Sequence, residues 1–276
     1  MPPPGPSPRK KQAARGKTRR AAALSFPAEA QDFSRRLRAW FRKNSRELPW
    51  RRTRNAYHIL VSELMLQQTQ VSRVLDFYPG FIARFPDLET LASARPTHVM
   101  AQWSGLGYYA RARNLHALAR RVVREGPGTA HRATLPEEPD ALRLLPGVGA
   151  YTAGAVASFA YEKRAALVDT NVSRVLQRYF APRLHPKRAR DLTRLWAIAE
   201  AILPRTGAAV WTHNQALMEL GALVCTARVA HCPKCPVRAA CKTANRNSDD
   251  GIGMRIRKTK RIPHSASYLM ILCLYS

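Results

Sequence analysis

Acidic residues are scarce in this chain. Its 276 residues include 18 aspartates and glutamates against 46 lysines and arginines, which gives a formal net charge of +28 at pH 7. This imbalance makes an acidic macromolecule the natural partner. The basic residues are spread along the whole chain, a distribution that favours nucleic acid over a membrane surface.

Long apolar runs are also missing. No run approaches the roughly 18 residues that a membrane span requires, and the opening MPPPGPSPRKKQAARGKTRR has no apolar core of a secretory signal. No acidic residue precedes Glu29. Residues 1–27 therefore predict a disordered basic arm that adds affinity for nucleic acid without sequence choice. An Arg-rich mitochondrial transit peptide would have the same composition.

The alternation of apolar and polar residues that is typical of strands is not convincing before the last residues of the chain. Apolar residues instead recur at helical spacing, for example in residues 28–44, 56–71 and 110–124. Short predicted helices joined by short loops indicate an all-α fold. The length is sufficient for a substantial core, in one large domain or two small ones.

Cysteines number only five, yet four of them fall within 17 residues with the spacing C-x6-C-x2-C-x5-C. Disulfides are disfavoured because nothing indicates secretion and the four residues crowd one loop. A four-cysteine zinc site normally pairs two C-x2-C knuckles, and this loop has one. Four thiolates from one compact loop suit a 4Fe-4S cluster, and zinc is the alternative. The predicted ligands are Cys225, Cys232, Cys235 and Cys241.

The chain is organised around residues 144–169, LLPGVGAYTAGAVASFAYEKRAALVD. Leu145 to Gly149 predict a tight turn, and the small and apolar residues that follow predict a helix. Free backbone N–H groups at such a helix start favour an anion, for example a phosphate. Asp169 follows an apolar run, which places a carboxylate at the edge of the core. The alternative is an ordinary loop followed by an Asp that caps the next helix.

Several motifs together resemble the helix-hairpin-helix DNA glycosylase superfamily. LPGVGAYTAGA is similar to its hairpin, VDTNVSRV to the segment of its catalytic aspartate, and the four-cysteine spacing to its cluster loop. Within that superfamily, LPWR, SELMLQQTQV, GLGYYARARNL and NQALMELGALVC occur in the order of the MutY-type adenine DNA glycosylases. The resemblance covers roughly residues 30 to 242.

The resemblance implies an all-α fold of two lobes with the active cleft between them. Residues 53–162 would form a helix-hairpin-helix lobe, a six-helix barrel, and residues 28–52 with 163–245 would form the iron–sulfur cluster lobe. The implied partner of this monomer is double-stranded DNA with a mispaired adenine, and no membrane is involved. The location would be the bacterial cytoplasm, or the nucleus or mitochondrion of a eukaryote.

The implied activity is monofunctional excision of adenine mispaired with 8-oxoguanine or guanine. Glu63 would be the general acid, and its apolar neighbours at helical spacing independently predict a raised pKa. Asp169 would stabilise the positively charged sugar or bond to it, as in glycoside hydrolysis. Asn171 would orient Asp169 or the water, and an ordinary asparagine at a helix start is the alternative. A thymine or uracil mismatch glycosylase and a non-catalytic DNA-binding fragment are the alternatives.

Tyr151 occupies the position where endonuclease III-type relatives carry a lysine that forms a Schiff base. A tyrosine has no amine, so the resemblance implies removal of the base without strand cleavage. Tyrosine stands there in both adenine and thymine or uracil mismatch glycosylases, so this position alone does not choose the base.

The resemblance also implies a set of DNA contacts. Gln68 and Tyr108 would fill the base stack around the orphaned base after the nucleotide flips out, and Gly147 and Gly149 would hold a phosphate through backbone N–H groups. The full set is Gln67, Gln68, Thr69, Tyr108, Arg111, Arg113, Gly147 and Gly149. For Arg111 and Arg113 a solvated surface is the alternative.

Two features depart from the family pattern. Thr170 stands where adenine glycosylases have glycine after the catalytic aspartate. Residues 258–276, KTKRIPHSASYLMILCLYS, resemble a linker and the first strand of a second, Nudix-like domain that reads 8-oxoguanine. We expect poor order after about residue 245, a truncated C-terminal domain in residues 246–276 and a weak preference for 8-oxoguanine.

Overall fold

The computed structural model describes residues 27–125 and 133–246. The predicted basic arm and the predicted linker and strand lie outside these residues, apart from Pro27 and Arg246. The helices are α1 (Pro27–Asn44), α2 (Ala56–Leu66), α3 (Val71–Arg84), α4 (Leu88–Ser93), α5 (Pro96–Trp103), α6 (Ala110–Glu125), α7 (Pro139–Leu142), α8 (Ala150–Ala160), α9 (Thr170–Phe180), α10 (Ala189–Ala201), α11 (Gly207–Leu223) and α12 (Lys242–Arg246).

The described residues contain no strand, and the β-type pairing found there is one isolated bridge between Cys225 and Ala230. The prediction of an all-α fold is thus confirmed. In the same part of the chain, no helix has the length and apolar character needed to cross a membrane.

The helices pack in two groups that share one hydrophobic core. In one group α2 packs on α3, α6 and α8, while α6 also contacts α4 and α5. In the other group α11 packs on α1 and α9, and α9 contacts α10 and α12. The contact between α8 and α11 joins the two groups. The N-terminus of α9 lies beside this junction, because a Cβ on Gly221 of α11 would lie 2.8 Å from the Cβ of Asn171.

The small residues of α8 allow this helix to approach the segment that leads to Asp169. A Cβ on Gly154 would lie 2.0 Å from the carbonyl oxygen of Ala166, so only glycine permits this contact. From the other side, the side-chain amide of Asn214 on α11 donates to the carbonyl oxygen of Ala165 at 2.9 Å. The segment before Asp169 is therefore fixed by both groups of helices.

An ion-pair network around one buried carboxylate fastens the segment between α1 and α2 to α11. The Glu219 carboxylate, 1% exposed, accepts hydrogen bonds from Arg46 and Arg51 at 2.8–2.9 Å. Although burial raises the pKa of Glu219, these arginines outweigh it and hold that pKa at about 2. Arg51 also donates to the side chain of Gln215. Arg51 of the motif LPWR therefore makes a structural contact with α11.

One predicted helix boundary is wrong. We predicted a helix over residues 56–71, but α2 ends at Leu66 and α3 begins at Val71. Gln67 is extended, with φ −60° and ψ 113°, and Gln68 has a positive φ of 56°. The polar run QQTQ offers no apolar side chain to bury, so the helix gains nothing by continuing through it. The break separates Glu63 from the glutamines and forms an exposed loop.

Candidate active site

Glu63 lies inside the protein on α2, with 3% of its surface exposed. Its Oε2 atom accepts a hydrogen bond of 2.8 Å from the hydroxyl of Tyr151, in the first turn of α8. The Sδ atom of Met218 on α11 lies 3.8 Å from the same hydroxyl. Three helices therefore meet at this carboxyl group.

Burial is the main influence on the acidity of Glu63. It raises the pKa to about 7, because a charged carboxylate is poorly solvated there. The hydrogen bond from Tyr151 and the charge of Arg51 lower this pKa, while the negative charge of Asp169 raises it. Near neutral pH a large fraction of Glu63 is protonated, which is the state a proton donor requires.

Asp169 is held differently, at the start of a helix. It is the N-cap of α9, and its Oδ1 atom accepts a hydrogen bond of 2.6 Å from the backbone N–H of Val172. Its Oδ2 atom accepts one of 3.2 Å from the side-chain amide of Asn171. Burial raises its pKa above the usual value, whereas these donors and the charge of Arg174 lower it. Asp169 therefore fulfils both alternatives: its carboxylate lies at the edge of the core, and it also caps α9.

Asn171 connects Asp169 to the loop of cysteines. Its Oδ1 atom accepts a hydrogen bond of 2.7 Å from Arg174, which also donates to the carbonyl oxygens of Gly221 and Cys225 at 2.8 Å each. A continuous chain of hydrogen bonds therefore runs from Cys225 through Arg174 and Asn171 to Asp169. The hydrogen bond from Asn171 to Asp169 supports the prediction that Asn171 orients Asp169.

Sequence reasoning missed Arg174 and Gly221. A Cβ on Gly221 would lie 2.8 Å from the Cβ of Asn171, so this glycine lets α11 approach the Asp169 segment closely. The signals were present: Arg174 stands three residues after Asn171 on one helix face, and Gly221 interrupts an otherwise helical pattern. Neither signal indicates which residue Arg174 or Gly221 contacts.

Gln68 and Tyr108 share an unusual backbone conformation. Their φ angles are 56° and 48°, in the left-handed region that non-glycine residues seldom adopt. Such a conformation costs roughly 1–2 kcal/mol per residue and concentrates at functional sites. Both side chains are exposed, Tyr108 to 59%. The structure thus presents both predicted wedge residues to solvent in strained turns.

The expectation that Arg111 contacts a phosphate needs correction. Arg111 is buried, with 7% exposed, and its guanidinium donates to backbone carbonyl oxygens at the end of α2 and in two loops. Because it lies inside the protein, it is neither a phosphate ligand nor a solvated surface residue. Arg113 is exposed on the same helix and remains a candidate for a phosphate contact.

The hairpin between α7 and α8 is formed by its glycines. Gly147 has a φ of +75°, and a Cβ there would lie 2.7 Å from the Cβ of Asn114. Gly149 is the N-cap of α8, and the space beside it is open. Thr152, in the first turn of α8, lies 3.4 Å from the side-chain amide of Gln67. The helix start that carries Tyr151 therefore also faces the α2–α3 loop, in which Thr69 bonds to Gln67 and Arg111.

The four clustered cysteines are free thiols that line one cavity of about 30 Å³. Among the described residues, no three His, Cys, Asp or Glu side chains converge closely enough to hold a single metal ion. The sulfurs instead face a shared space, and Arg178 of α9 lies 3.3 Å from the Sγ atom of Cys225. This donor set, four thiols around a cavity beside a cation, fits an anionic group with several metal atoms. Cys273 lies outside the described residues.

Comparison with known proteins identifies the family. Residues 61–198, half of the chain, match the family described as "HhH-GPD superfamily base excision DNA repair protein". An adenine DNA glycosylase of Homo sapiens is 42% identical over 230 residues, which cover 79% of this chain and 40% of that protein. One from Mycobacterium tuberculosis (strain ATCC 25618 / H37Rv) is 43% identical over 202 residues, 73% of this chain and 64% of that protein. The chain spans less than half of the mammalian relatives that it matches.

Solved structures agree on the fold. A thermostable thymine-DNA glycosylase matches with a TM-score of 0.71 and 29% identity, over 79% of this chain and 97% of that chain. Endonuclease III in a non-covalent complex with DNA matches with a TM-score of 0.64 and 22% identity, over 80% of this chain and 98% of that chain. At this identity the similarity concerns the fold alone. On the evidence of the family match and the shared helical fold, this chain belongs to the HhH-GPD superfamily of base excision DNA repair proteins.

Proposed function

We propose that this protein is a monofunctional DNA glycosylase that removes adenine mispaired with 8-oxoguanine or guanine. The observation that carries the proposal is the buried Glu63, whose carboxyl group receives a hydrogen bond from Tyr151 and has a pKa near 7. The names of the curated relatives, adenine DNA glycosylases at 42–44% identity, support adenine as the base.

In the proposed reaction the adenine leaves the duplex and enters the cleft between the two groups of helices. Glu63 donates its proton to the adenine ring, which makes the base a better leaving group. As the N-glycosidic bond breaks, positive charge develops on the sugar, and the carboxylate of Asp169 stabilises it or bonds to it transiently. Water then completes the hydrolysis, and Asn171 keeps Asp169 oriented.

Tyr151 supports the monofunctional assignment. Its phenol donates to Glu63, and burial together with the nearby carboxyl groups raises the pKa of Tyr151 well above the usual value. The hydroxyl therefore stays protonated and is not a nucleophile. Since a tyrosine cannot form a Schiff base with the sugar, the enzyme leaves the DNA backbone intact.

DNA binding is proposed from the charge of the chain, the hairpin and the exposed loops. The first turn of α8 offers backbone N–H groups that lack helical acceptors, and Gly149 leaves room for a phosphate. Gln68 and Tyr108 are exposed, which supports the proposal that they enter the base stack. We propose a monomer with two lobes, residues 53–162 and residues 28–52 with 163–245, and the helix packing supports that division.

We further propose that Cys225, Cys232, Cys235 and Cys241 hold a 4Fe-4S cluster, with zinc as the alternative. When bound, the cluster would crosslink the loop after α11. The residues around it hold that loop on α9, because Arg178 donates to the carbonyl oxygen of Thr226 at 2.8 Å. Iron, sulfide and zinc analysis of the purified protein tests this. About four irons and four sulfides per chain support the cluster, whereas zinc without iron supports the alternative.

A thymine or uracil mismatch glycosylase is the second candidate. The likeness to the thermostable thymine-DNA glycosylase favours it, and Tyr151 is compatible with both activities. A non-catalytic DNA-binding fragment is the third, although the intact pair of Glu63 and Asp169 opposes it.

Single-turnover cleavage of duplexes that contain A:8-oxoguanine, A:G, T:G or U:G separates these candidates. Each product is treated with and without alkali. We expect adenine release, with strand scission only after alkali. Comparable rates on A:8-oxoguanine and A:G would mean that residues 1–276 carry little preference for the oxidised base.

Release of thymine or uracil alone would contradict the adenine assignment. Strand scission without alkali would contradict the monofunctional assignment. Binding of every duplex without release of any base would identify a DNA-binding fragment. Glu63→Gln is the matched control, since it is nearly isosteric and removes the acid while it keeps the size of the side chain.

A further inference from the structure

We propose that Arg111 is a positioning residue that locks the two exposed wedge loops to the end of the helix that carries Glu63. The wedge loops are residues 67–70, with Gln68, and residues 104–109, with Tyr108. Held together by Arg111, the two loops would insert into DNA as one unit, at a fixed position relative to Glu63. The inference rests on the proposed function, because that function assigns base flipping to these loops.

The first set of contacts fixes the end of α2. The Nη1 atom of Arg111 lies 2.8 Å from the carbonyl oxygens of both Leu64 and Met65, and it also donates to the carbonyl oxygen of Gln67. The last carbonyl groups of a helix have no partner within the helix. Arg111 supplies that partner directly after Glu63 and directly before Gln68.

The second set of contacts fixes the Tyr108 loop. The Nη2 atom of Arg111 donates to the carbonyl oxygens of Leu106 and Gly107 at 3.2 and 3.1 Å, and Nε donates to the carbonyl oxygen of Tyr108 at 3.4 Å. The guanidinium carbon also lies 5.4 Å from the centre of the Tyr108 ring. Arg111 therefore touches the wedge side chain itself as well as its backbone.

The position of Arg111 makes this connection rigid. Its side chain is buried, and its guanidinium packs over the Trp103 ring, 5.5 Å from the ring centre. A guanidinium has five N–H donors in a fixed plane, and here all three of its nitrogen atoms are used across both loops. A buried arginine without these acceptors would be unstable, so the loops and the arginine hold one another.

Both wedge residues have positive φ angles, which are unfavourable unless surrounding contacts impose them. Arg111 binds the carbonyl oxygen of Gln67, just before Gln68, and that of Tyr108 itself. A single side chain thus contacts the backbone at both strained turns. Without Arg111, each turn is expected to relax independently, and Gln68 and Tyr108 would lose their fixed positions relative to each other.

The test compares Arg111→Lys and Arg111→Met with the wild type. Lysine keeps the charge but has three donors, so it should retain part of the connection, whereas methionine retains none. Arg120→Met is the matched control, because Arg120 is an exposed arginine on the same helix. Circular dichroism checks folding, and if Arg111→Met fails to fold, Arg111→Lys carries the test.

The readouts separate binding, base unstacking and chemistry. Duplexes carry 2-aminopurine, whose fluorescence rises when it leaves the stack, at the position of the target adenine. We expect duplex affinity within about threefold of wild type and a strongly reduced fluorescence rise in both Arg111 variants. Single-turnover excision should fall at least about tenfold, more for methionine than for lysine, with an unchanged midpoint of the pH–rate profile.

A wild-type fluorescence rise in Arg111→Met would overturn the inference. So would a loss of excision with normal unstacking and a shifted pH midpoint, since Arg111 would then act on Glu63 alone. If the wild-type protein unstacks 2-aminopurine but releases no adenine, the proposed function fails, and the fluorescence comparison still decides the role of Arg111.

Discussion

Glu63 and Asp169 are carboxyl groups of the same cleft, yet their surroundings differ in kind. Glu63 lies in the middle of a helix among apolar side chains and receives one hydrogen bond, from Tyr151. Asp169 caps a helix and receives hydrogen bonds from Val172 and Asn171, with Arg174 nearby. Burial raises the pKa of both carboxyl groups, but at Asp169 the hydrogen-bond donors and the charge of Arg174 oppose that rise.

The difference shows how the surroundings of two identical functional groups can suit them to the separate roles proposed for them. The pKa of Glu63 is raised to about 7, mainly by burial, and the negative charge of Asp169 contributes to that rise. An ionised Asp169 therefore helps to keep Glu63 protonated, which suits a general acid beside a charge-stabilising carboxylate. The excision rate should fall on the alkaline side as Glu63 loses its proton. It should fall on the acid side as Asp169 gains one.

The largest effect is expected from Glu63→Gln. Glutamine fills the same space but cannot donate a proton to adenine in the same way, so the single-turnover rate should fall by about 10²–10⁴. Duplex affinity should stay near that of the wild type. An excision rate within tenfold of wild type would mean that another group protonates the base.

Asp169→Asn should follow, with a loss of about 10²–10³ in the single-turnover rate. Asparagine is an equally good helix cap, so the melting temperature should change little while the charge that stabilises the sugar disappears. Thermal unfolding and excision are measured on the same sample. A large drop in melting temperature with a proportionate loss of rate would assign Asp169 a mainly structural role.

Arg174→Met should have a smaller effect, about tenfold in rate, or roughly 1.4 kcal/mol. It removes the contact that fixes Asn171 and a positive charge that lowers the pKa of Asp169. With that pKa raised, a higher pH is needed to ionise Asp169, so the acid limb of the pH–rate profile should move to higher pH. An unchanged acid limb would show that Arg174 holds the loop without influencing Asp169.

The smallest effect on rate is expected from Tyr151→Phe, about a few-fold at neutral pH. The hydroxyl of Tyr151 lowers the pKa of Glu63, because it donates to the ionised carboxylate. Its removal should raise that pKa, so Glu63 keeps its proton longer and the alkaline limb moves to higher pH. A shift to lower pH would mean that the hydroxyl stabilises the protonated form instead.

The sequence was informative where a local pattern matched a local environment. Apolar neighbours at helical spacing predicted a buried Glu63, and it is 3% exposed. The run before Asp169 predicted a carboxylate at the edge of the core that also starts a helix, and Asp169 caps α9. Both predictions depend on residues close together in the chain. Helix geometry fixes the neighbours of Glu63 on α2 and the contact of Asp169 with Val172 in the first turn of α9.

The sequence was misleading where a residue acts through distant partners. Arg111 is a basic residue in a basic chain, two positions before the exposed Arg113, so its type suggested a phosphate contact. Its acceptors include Leu64 and Met65, which stand 47 and 46 residues earlier in the chain. The end of α2 at Leu66 was missed for a related reason, since Arg111 satisfies the carbonyl groups that the shorter helix leaves open.

By itself, then, the sequence determined the helical class, the clustered thiols, the hairpin and the two carboxyl groups. Each of these features depends on residues that are close together in the chain. The tertiary structure decided which of these groups meet. It placed Tyr151 against Glu63 across 88 residues, and it placed Arg174, which reaches Asp169 through Asn171, against Cys225 across 51 residues. Such contacts form when helices from separate parts of the chain bury their apolar faces together, and no local pattern specifies that packing.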